Sequence, residues 1–227
     1  MAGNETSFRV GHRKRLQQKF LGGYKLSDDE ILELFLTYAI PRCDIKPYVH
    51  DLRKTFGNIH HILTTPIEDL MKVRGIKENS VALIKIVHEI MMRGYKSSLD
   101  DTPIFHDYNR LLDYCRLKLL NKSVEEFHVF YLDADYKLLK EELHNTGTES
   151  EAPVYPKEIV KRALTLSARS VVLLHNHPSM TKPFSHDDIT TTEIIKAKLA
   201  EFDIELYDHL LVAGGIVYSA KEKRLIN

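Results

Sequence analysis

Two histidines and a carboxylate stand where they could hold a metal ion. His175 and His177 are separated by one residue at the end of the apolar run Val171-Val172-Leu173-Leu174, and Pro178 follows them. Alternate residues of a strand face one side, so both imidazoles can converge on one ion. Pro178 ends the strand and sends the chain into a loop. The loop returns Asp188 in the first turn of a helix opened by Ser185, with Asp187 offering the same chemistry one position earlier. Two neutral imidazoles and one carboxylate leave a tetrahedral Zn²⁺ with an open position for water, the pattern of a catalytic site and not of a closed structural one. Other first-row ions also accept such a donor set. Taken singly, the pieces have plain explanations: an ordinary His-x-His on a strand, and an N-cap serine with an acidic first turn. Their order and spacing together favour the metal.

Hydrolysis also needs a base. Glu125 and Glu126 both sit where the run Glu126-Phe127-His128-Val129-Phe130-Tyr131-Leu132 begins. A carboxylate there would take a proton from water whose pKa zinc has lowered to about 7, then return it to the leaving group. Ser185 could donate a hydrogen bond to the developing oxyanion. Both glutamates also fit a solvated strand edge, and periodicity does not choose between them.

The elements that must position these groups fall into two textures. Residues 8–95 read as helices: Ser27-Asp28-Asp29-Glu30 is an N-cap with an acidic first turn, Ile31 to Leu36 supply an apolar face, and Pro41 is expected to stop that helix. Ser97 to Pro103 reads as a polar link between domains. Beyond it, residues 106–121 read as a helix. Glu126–Leu132 reads as a strand from its aromatic and β-branched content, and Tyr136 to His144 as its return. Pro156 starts a helix, Val171–Leu174 is a short buried strand, Ser185 opens a long helix, and two strands surround Gly214-Gly215. The order predicts an α/β domain of two or three layers.

Composition bounds the function classes. The chain has 227 residues, 43% of them hydrophobic, and a net charge of zero. Residues 1–100 carry a net +4 and residues 101–227 a net −4, a mild bias of the first half towards polyanions. No apolar run approaches the roughly 20 residues needed to span a bilayer, so no membrane partner is expected. The first six residues lack a signal-peptide pattern. The two cysteines, Cys43 and Cys115, make neither a disulfide framework nor a Cys-x-x-Cys pair, and a cytoplasmic location is expected. A homo-oligomer is left open.

Leu70 to Ala82 resembles a helix-hairpin-helix, in which a glycine between two helices exposes backbone N–H groups to a DNA phosphate. Gly75 would be that glycine, and Lys72, Arg74 and Lys77 would add sequence-independent attraction. Such hairpins usually show Gly-Ile-Gly, and Lys77 replaces the second glycine. A plain αα-hairpin fits equally. The basic cluster Arg13, Lys14, Arg15 and Lys19 reads as a solvated face or a second phosphate contact.

At the His-x-His, its proline and the Ser-x-x-Asp that follows, the chain resembles the JAMM/MPN metalloproteases, and more closely the RadC family, over nearly its whole length. Gly11 to Leu16, Ile31 to Leu36, Thr146-Gly147-Thr148, His175 to Ser179 and Leu206 to Leu210 carry the likeness. The resemblance implies one Zn²⁺ per chain, held by His175, His177 and Asp188, with Ser185 as oxyanion helper. It places the base at Glu125, two residues before Phe127, with Glu126 as the fallback. It implies a cytidine deaminase-like mixed sheet flanked by helices over residues 103–227 and a small all-α domain over residues 1–98. The activity it implies is hydrolysis of a peptide or isopeptide bond in a protein or peptide substrate, with DNA association through the N-terminal domain. Rival readings are a metal-dependent nuclease and a non-catalytic DNA-binding protein linked to repair or recombination. The chain departs from the family at Tyr155-Pro156-Lys157-Glu158, usually His-Pro-Arg-Glu, and at Met180 after Ser179, where glycine is usual. Both departures bear on the substrate groove and not on the ligands.

Overall fold

The computed structural model describes residues 3–41, 43–147, 154–178 and 184–223. The chain divides into two compact units, Met1–Ile90 and Met91–Asn227. The first is all helical: α1 (Gly3–Leu21), α2 (Asp28–Leu36), α3 (Lys46–Phe56), α4 (Ile59–Thr64), α5 (Ile67–Lys72) and the start of α6 (Glu78–Asp101). Ser27 and Glu30 form a reciprocal capping box at α2, and Asn58 caps α4. Leu32, Leu36, Leu52, Ile62, Leu70 and Ile84 are fully or almost fully buried here. Lys85 lays its stem inside and donates its ammonium to the carbonyls of Leu63 and Thr65, satisfying the C-terminal end of α4.

Two expectations need correction. α2 ends at Leu36, well before Pro41. The Thr37 hydroxyl turns back onto the Leu34 carbonyl and the next amides make tight turn bonds to Phe35 and Leu36, so the helix has closed before the proline is reached. Nor is the Ser97–Pro103 stretch a link throughout, since α6 continues to Asp101. Met92, Tyr95 and Leu99 form a helical stripe that packs into the core of the second unit. The Ser98 hydroxyl meanwhile donates to the Tyr95 carbonyl and stays on the helix surface. The core decides the helix length, over the polar composition.

The second unit contains a five-stranded sheet in the order β2-β1-β3-β4-β5. Its strands are β1 (Glu126–Leu132), β2 (Leu138–Thr146), β3 (Ser170–His177), β4 (Glu205–Ala213) and β5 (Ile216–Ser219). β1 is antiparallel to β2 and β3, β3 is parallel to β4, and β5 returns antiparallel, so the sheet is mixed. The helices α7 (Tyr108–Leu119), α8 (Pro156–Thr165) and α9 (His186–Ala200) complete three layers. On one face Phe130, Leu132, Val172 and Leu174 pack with Leu111, Tyr114 and Leu119 of α7. On the other, Phe127, Val129, Tyr131, Val171 and Leu173 pack with Ile159 and Ala163 of α8 and Ile195 and Leu199 of α9. This alternation fixes the phase of every strand residue. His175 and His177 share the phase of Val171 and Leu173, so they face α9. Among the described residues, no helix is long and apolar enough to cross a membrane.

Candidate metal centre

β3 delivers His175 and His177 at its C-terminal end, and α9 delivers Asp188 from its first turn. His175 Nε2 lies 3.2 Å from His177 Nε2 and 3.2 Å from Asp188 Oδ1, and His177 Nε2 lies 3.3 Å from Asp188 Oδ2. Bonds of about 2.0–2.1 Å in tetrahedral geometry set neighbouring donors about 3.3 Å apart. The two imidazole nitrogens meet that spacing, and Asp188 turns a different oxygen to each, so the group could hold a metal ion. Among the described residues, this is the one group of three or more His, Cys, Asp or Glu whose ligand atoms gather within 4.8 Å of one another. Asp187 is outside that group.

The charges suit a cation. Burial works against ionised Asp188, but its contacts with His175, His177 and Ser185 outweigh burial and hold the carboxyl well below the usual carboxylate range. Burial pushes His175 below the ordinary histidine value against the pull of Asp188, which keeps its ring a neutral electron-pair donor.

Ser185 is the N-cap of α9. Its Oγ accepts from the Asp188 amide at 3.1 Å and donates to Asp188 Oδ2 at 2.7 Å, and the Ser185 amide donates to the same oxygen at 2.7 Å. The capping box therefore includes the candidate ligand Asp188 and sets its rotamer.

The two glutamates lie on opposite faces. Glu126 Oε2 meets His128 Nε2 at 2.9 Å and Oε1 meets Lys122 at 2.8 Å. His128 and Lys122 pull the Glu126 carboxyl down to about 2. Glu125 is buried just before β1. The antiparallel register pairs Phe127 with His175, and continued by two residues it sets Glu125 opposite His177 on the metal-facing side. Asn176, between the two histidines, faces the other way: its Oδ1 accepts from the Glu126 amide at 2.9 Å and its Nδ2 donates to the Val124 carbonyl at 3.1 Å. The Gly147 amide donates to the Glu125 carbonyl at 2.8 Å. Backbone on both sides of Glu125 is thereby tied to β3, and its own carbonyl to the end of β2.

Two polar residues found here, His209 and Thr192, carry no role in the sequence reading. The His209 ring lies 2.8 Å from His175 Nδ1 and 2.6 Å from Thr192 Oγ1. Phe127 and Phe184 enclose the His175 and His209 rings. The available signal was a histidine in the inward phase of an apolar strand, next to the fully buried Asp208, and a threonine one helical turn after a proposed ligand. Of the departures from the family pattern, Tyr155 is an exposed N-cap of α8, and Pro156 is the first residue of that helix. Thr148, Ser179 and Met180 lie outside the described residues.

The N-terminal hairpin is built differently. Gly75 takes φ +78, and a Cβ there would come within 2.2 Å of the Tyr48 ring. The Lys77 amide donates to Ser80 Oγ and the Ile76 amide to the Val73 carbonyl. Lys77 is not left-handed; among the described residues of the turn only Gly75 has positive φ. Lysine in place of the second glycine therefore meets no left-handed strain. Lys72 pairs with Asp69 at 2.6 Å, Lys19 with Glu30 at 3.2 Å, and Arg13 lies over the Tyr38 ring.

Comparison with known proteins adds the family context. The RadC-like JAB domain matches residues 105–225. A UPF0758 protein of Ruegeria pomeroyi is 37% identical over 210 residues, covering 92% of this chain and 94% of that protein. A UPF0758 protein of Rhodobacter capsulatus is 36% identical over 213 residues, covering 93% of this chain and 100% of that protein.

Proposed function

Because the chain belongs to the RadC-like JAB domain family, we propose that its C-terminal unit is a zinc-dependent hydrolase that cleaves a peptide or isopeptide bond. The observation that carries this reading is the 3.2, 3.2 and 3.3 Å spacing of two imidazole nitrogens and a carboxylate. His175, His177 and Asp188 would hold one zinc per chain. Bound zinc supplies Lewis acidity, which brings the pKa of a water to about 7 and polarises the scissile carbonyl.

The chain's own groups supply the rest. Glu125 takes the proton of the attacking water and hands it to the departing nitrogen, which leaves as a neutral amine. Glu125 is buried, and the Asn176 and Gly147 hydrogen bonds keep its backbone in place. Ser185 holds Asp188 before substrate arrives, and its hydroxyl is the proposed donor to the oxyanion. A one-ion His₂Asp set suits an acyl carbon better than a phosphodiester, for which two ions are the common solution.

A second reading concerns the N-terminal unit. Three basic residues, Lys72, Arg74 and Lys77, fall within six positions around the Gly75 turn, which supports weak, sequence-independent DNA association. The test of the main reading is a screen of peptide and isopeptide substrates with zinc-loaded protein beside Glu125→Gln. Hydrolysis that falls about 10²–10⁴-fold in the variant while its zinc content holds is expected. Equal turnover by both proteins removes Glu125 from the mechanism. Cleavage of DNA alone would replace the acyl reading with the nuclease one.

A further inference from the structure

His209 lies in the middle of β4 with 1% exposure, and both of its ring nitrogens are engaged. Nε2 is 2.8 Å from His175 Nδ1, and Nδ1 is 2.6 Å from Thr192 Oγ1. Thr192 Oγ1 in turn lies 2.5 Å from the carbonyl oxygen of Asp188. This chain of contacts begins on one ligand of the proposed metal and ends on the backbone of another, passing through β4.

The hydrogens can be placed in one order. A carbonyl oxygen only accepts, so the Thr192 hydroxyl donates to Asp188 and accepts from His209 Nδ1–H. The reverse order would leave two acceptor oxygens in contact with no hydrogen between them. With its proton on Nδ1, a neutral His209 ring presents a lone pair at Nε2. His175 must then donate from Nδ1, because the short contact between the rings holds one proton. The Nε2 lone pair of His175 is left facing His177 and Asp188, where the metal would sit.

We propose that His209 is a positioning residue which, with Thr192, locks His175 into the Nδ1–H tautomer and thereby presents Nε2 to the metal. The proposal rests on the metal reading above. A ligating histidine usually donates its second N–H to a carboxylate or a carbonyl. Here another histidine receives it, and the threonine gives that histidine its own fixed tautomer. Phe127 and Phe184 flank the same ring, so a packing role has to be separated from a tautomer role.

The full-length chain with ¹⁵N-labelled histidine makes that separation. In the metal-free wild type, nitrogen shifts should show the His175 proton on Nδ1. Zinc affinity is then measured by competition with a chromophoric chelator. His209→Phe keeps an aromatic ring and removes the acceptor, so zinc should bind about 10–100-fold more weakly. His209→Gln restores an acceptor and should return the affinity to within a few-fold of wild type. Thr192→Val keeps the shape, removes the hydroxyl and should weaken zinc several-fold, and it serves if His209→Phe does not fold. A His175 proton on Nε2 in the metal-free wild type overturns the proposal. So does a folded His209→Phe protein with wild-type zinc affinity. A wild type that takes up no zinc fails the metal reading instead, and the tautomer measurement still decides the arrangement of protons.

Discussion

At the end of β3, polar side chains converge; at the turn between α5 and α6, they diverge. His175, His177 and Asp188 bring one donor atom each within 4.8 Å of one another, and His209 and Thr192 back them from inside. Gly75, Lys72, Arg74 and Lys77 are also close in sequence, yet the glycine is explained by the Tyr48 ring and Lys72 turns to Asp69. Clustering of suggestive residues along a chain is common to both regions. Convergence of unlike polar groups on one point, at the cost of burying them, belongs to one. A buried donor set stays in place only if its partners are satisfied.

Four measurements press on this contrast, in falling order of effect. His177→Ala should reduce zinc from about one per chain to near none by elemental analysis, since two donors remain of three; full retention of zinc would move the site elsewhere. Gly75→Ala should destabilise the N-terminal unit by about 2–4 kcal/mol, from left-handed strain and overpacking against Tyr48. In the Tyr48→Ala background that cost should shrink, and denaturant unfolding reads both. Glu126 provides a pH test on the face away from the metal. Its carboxyl is depressed to about 2 in the folded chain from an ordinary 4.5. Its contribution to stability is therefore present above about pH 4.5 and is lost as pH falls towards 2. The Glu126→Gln protein should show a flatter acid-unfolding profile over that window by circular dichroism. The smallest effect is expected for Lys72, Arg74 and Lys77 changed together to Ala. The salt slope of binding to duplex DNA should fall by about 2–3. An unchanged slope leaves the turn with packing alone to explain it.

What could be read from the residues divides along physical lines. β1 begins and ends at Glu126 and Leu132 as its aromatic and β-branched content predicts, because that run is buried on both faces of the sheet. The meeting of His175, His177 and Asp188 was legible from strand alternation and one cap. Which of Glu125 and Glu126 lies on the side of the two histidines was not legible from periodicity, because it depends on the register between β1 and β3, a pairing across fifty residues of chain. The length of α6 was hidden for a similar reason: Leu99 finds its partners on distant strands, while its neighbours in sequence are polar. His209 was visible as a residue and invisible as a role, since nothing local says that its ring meets His175.

The parallel pairing of β3 with β4, with α9 as the crossover, also ties the proposed site to the completed sheet. The three proposed ligands lie within one strand–loop–helix segment. Glu125 arrives only when β1 pairs with β3, and His209 only when β4 docks beside it. A molecule whose β1 has come away from β3 would therefore lack the proposed base. For a protein that would cut other chains, that dependence confines cutting to molecules whose sheet is whole.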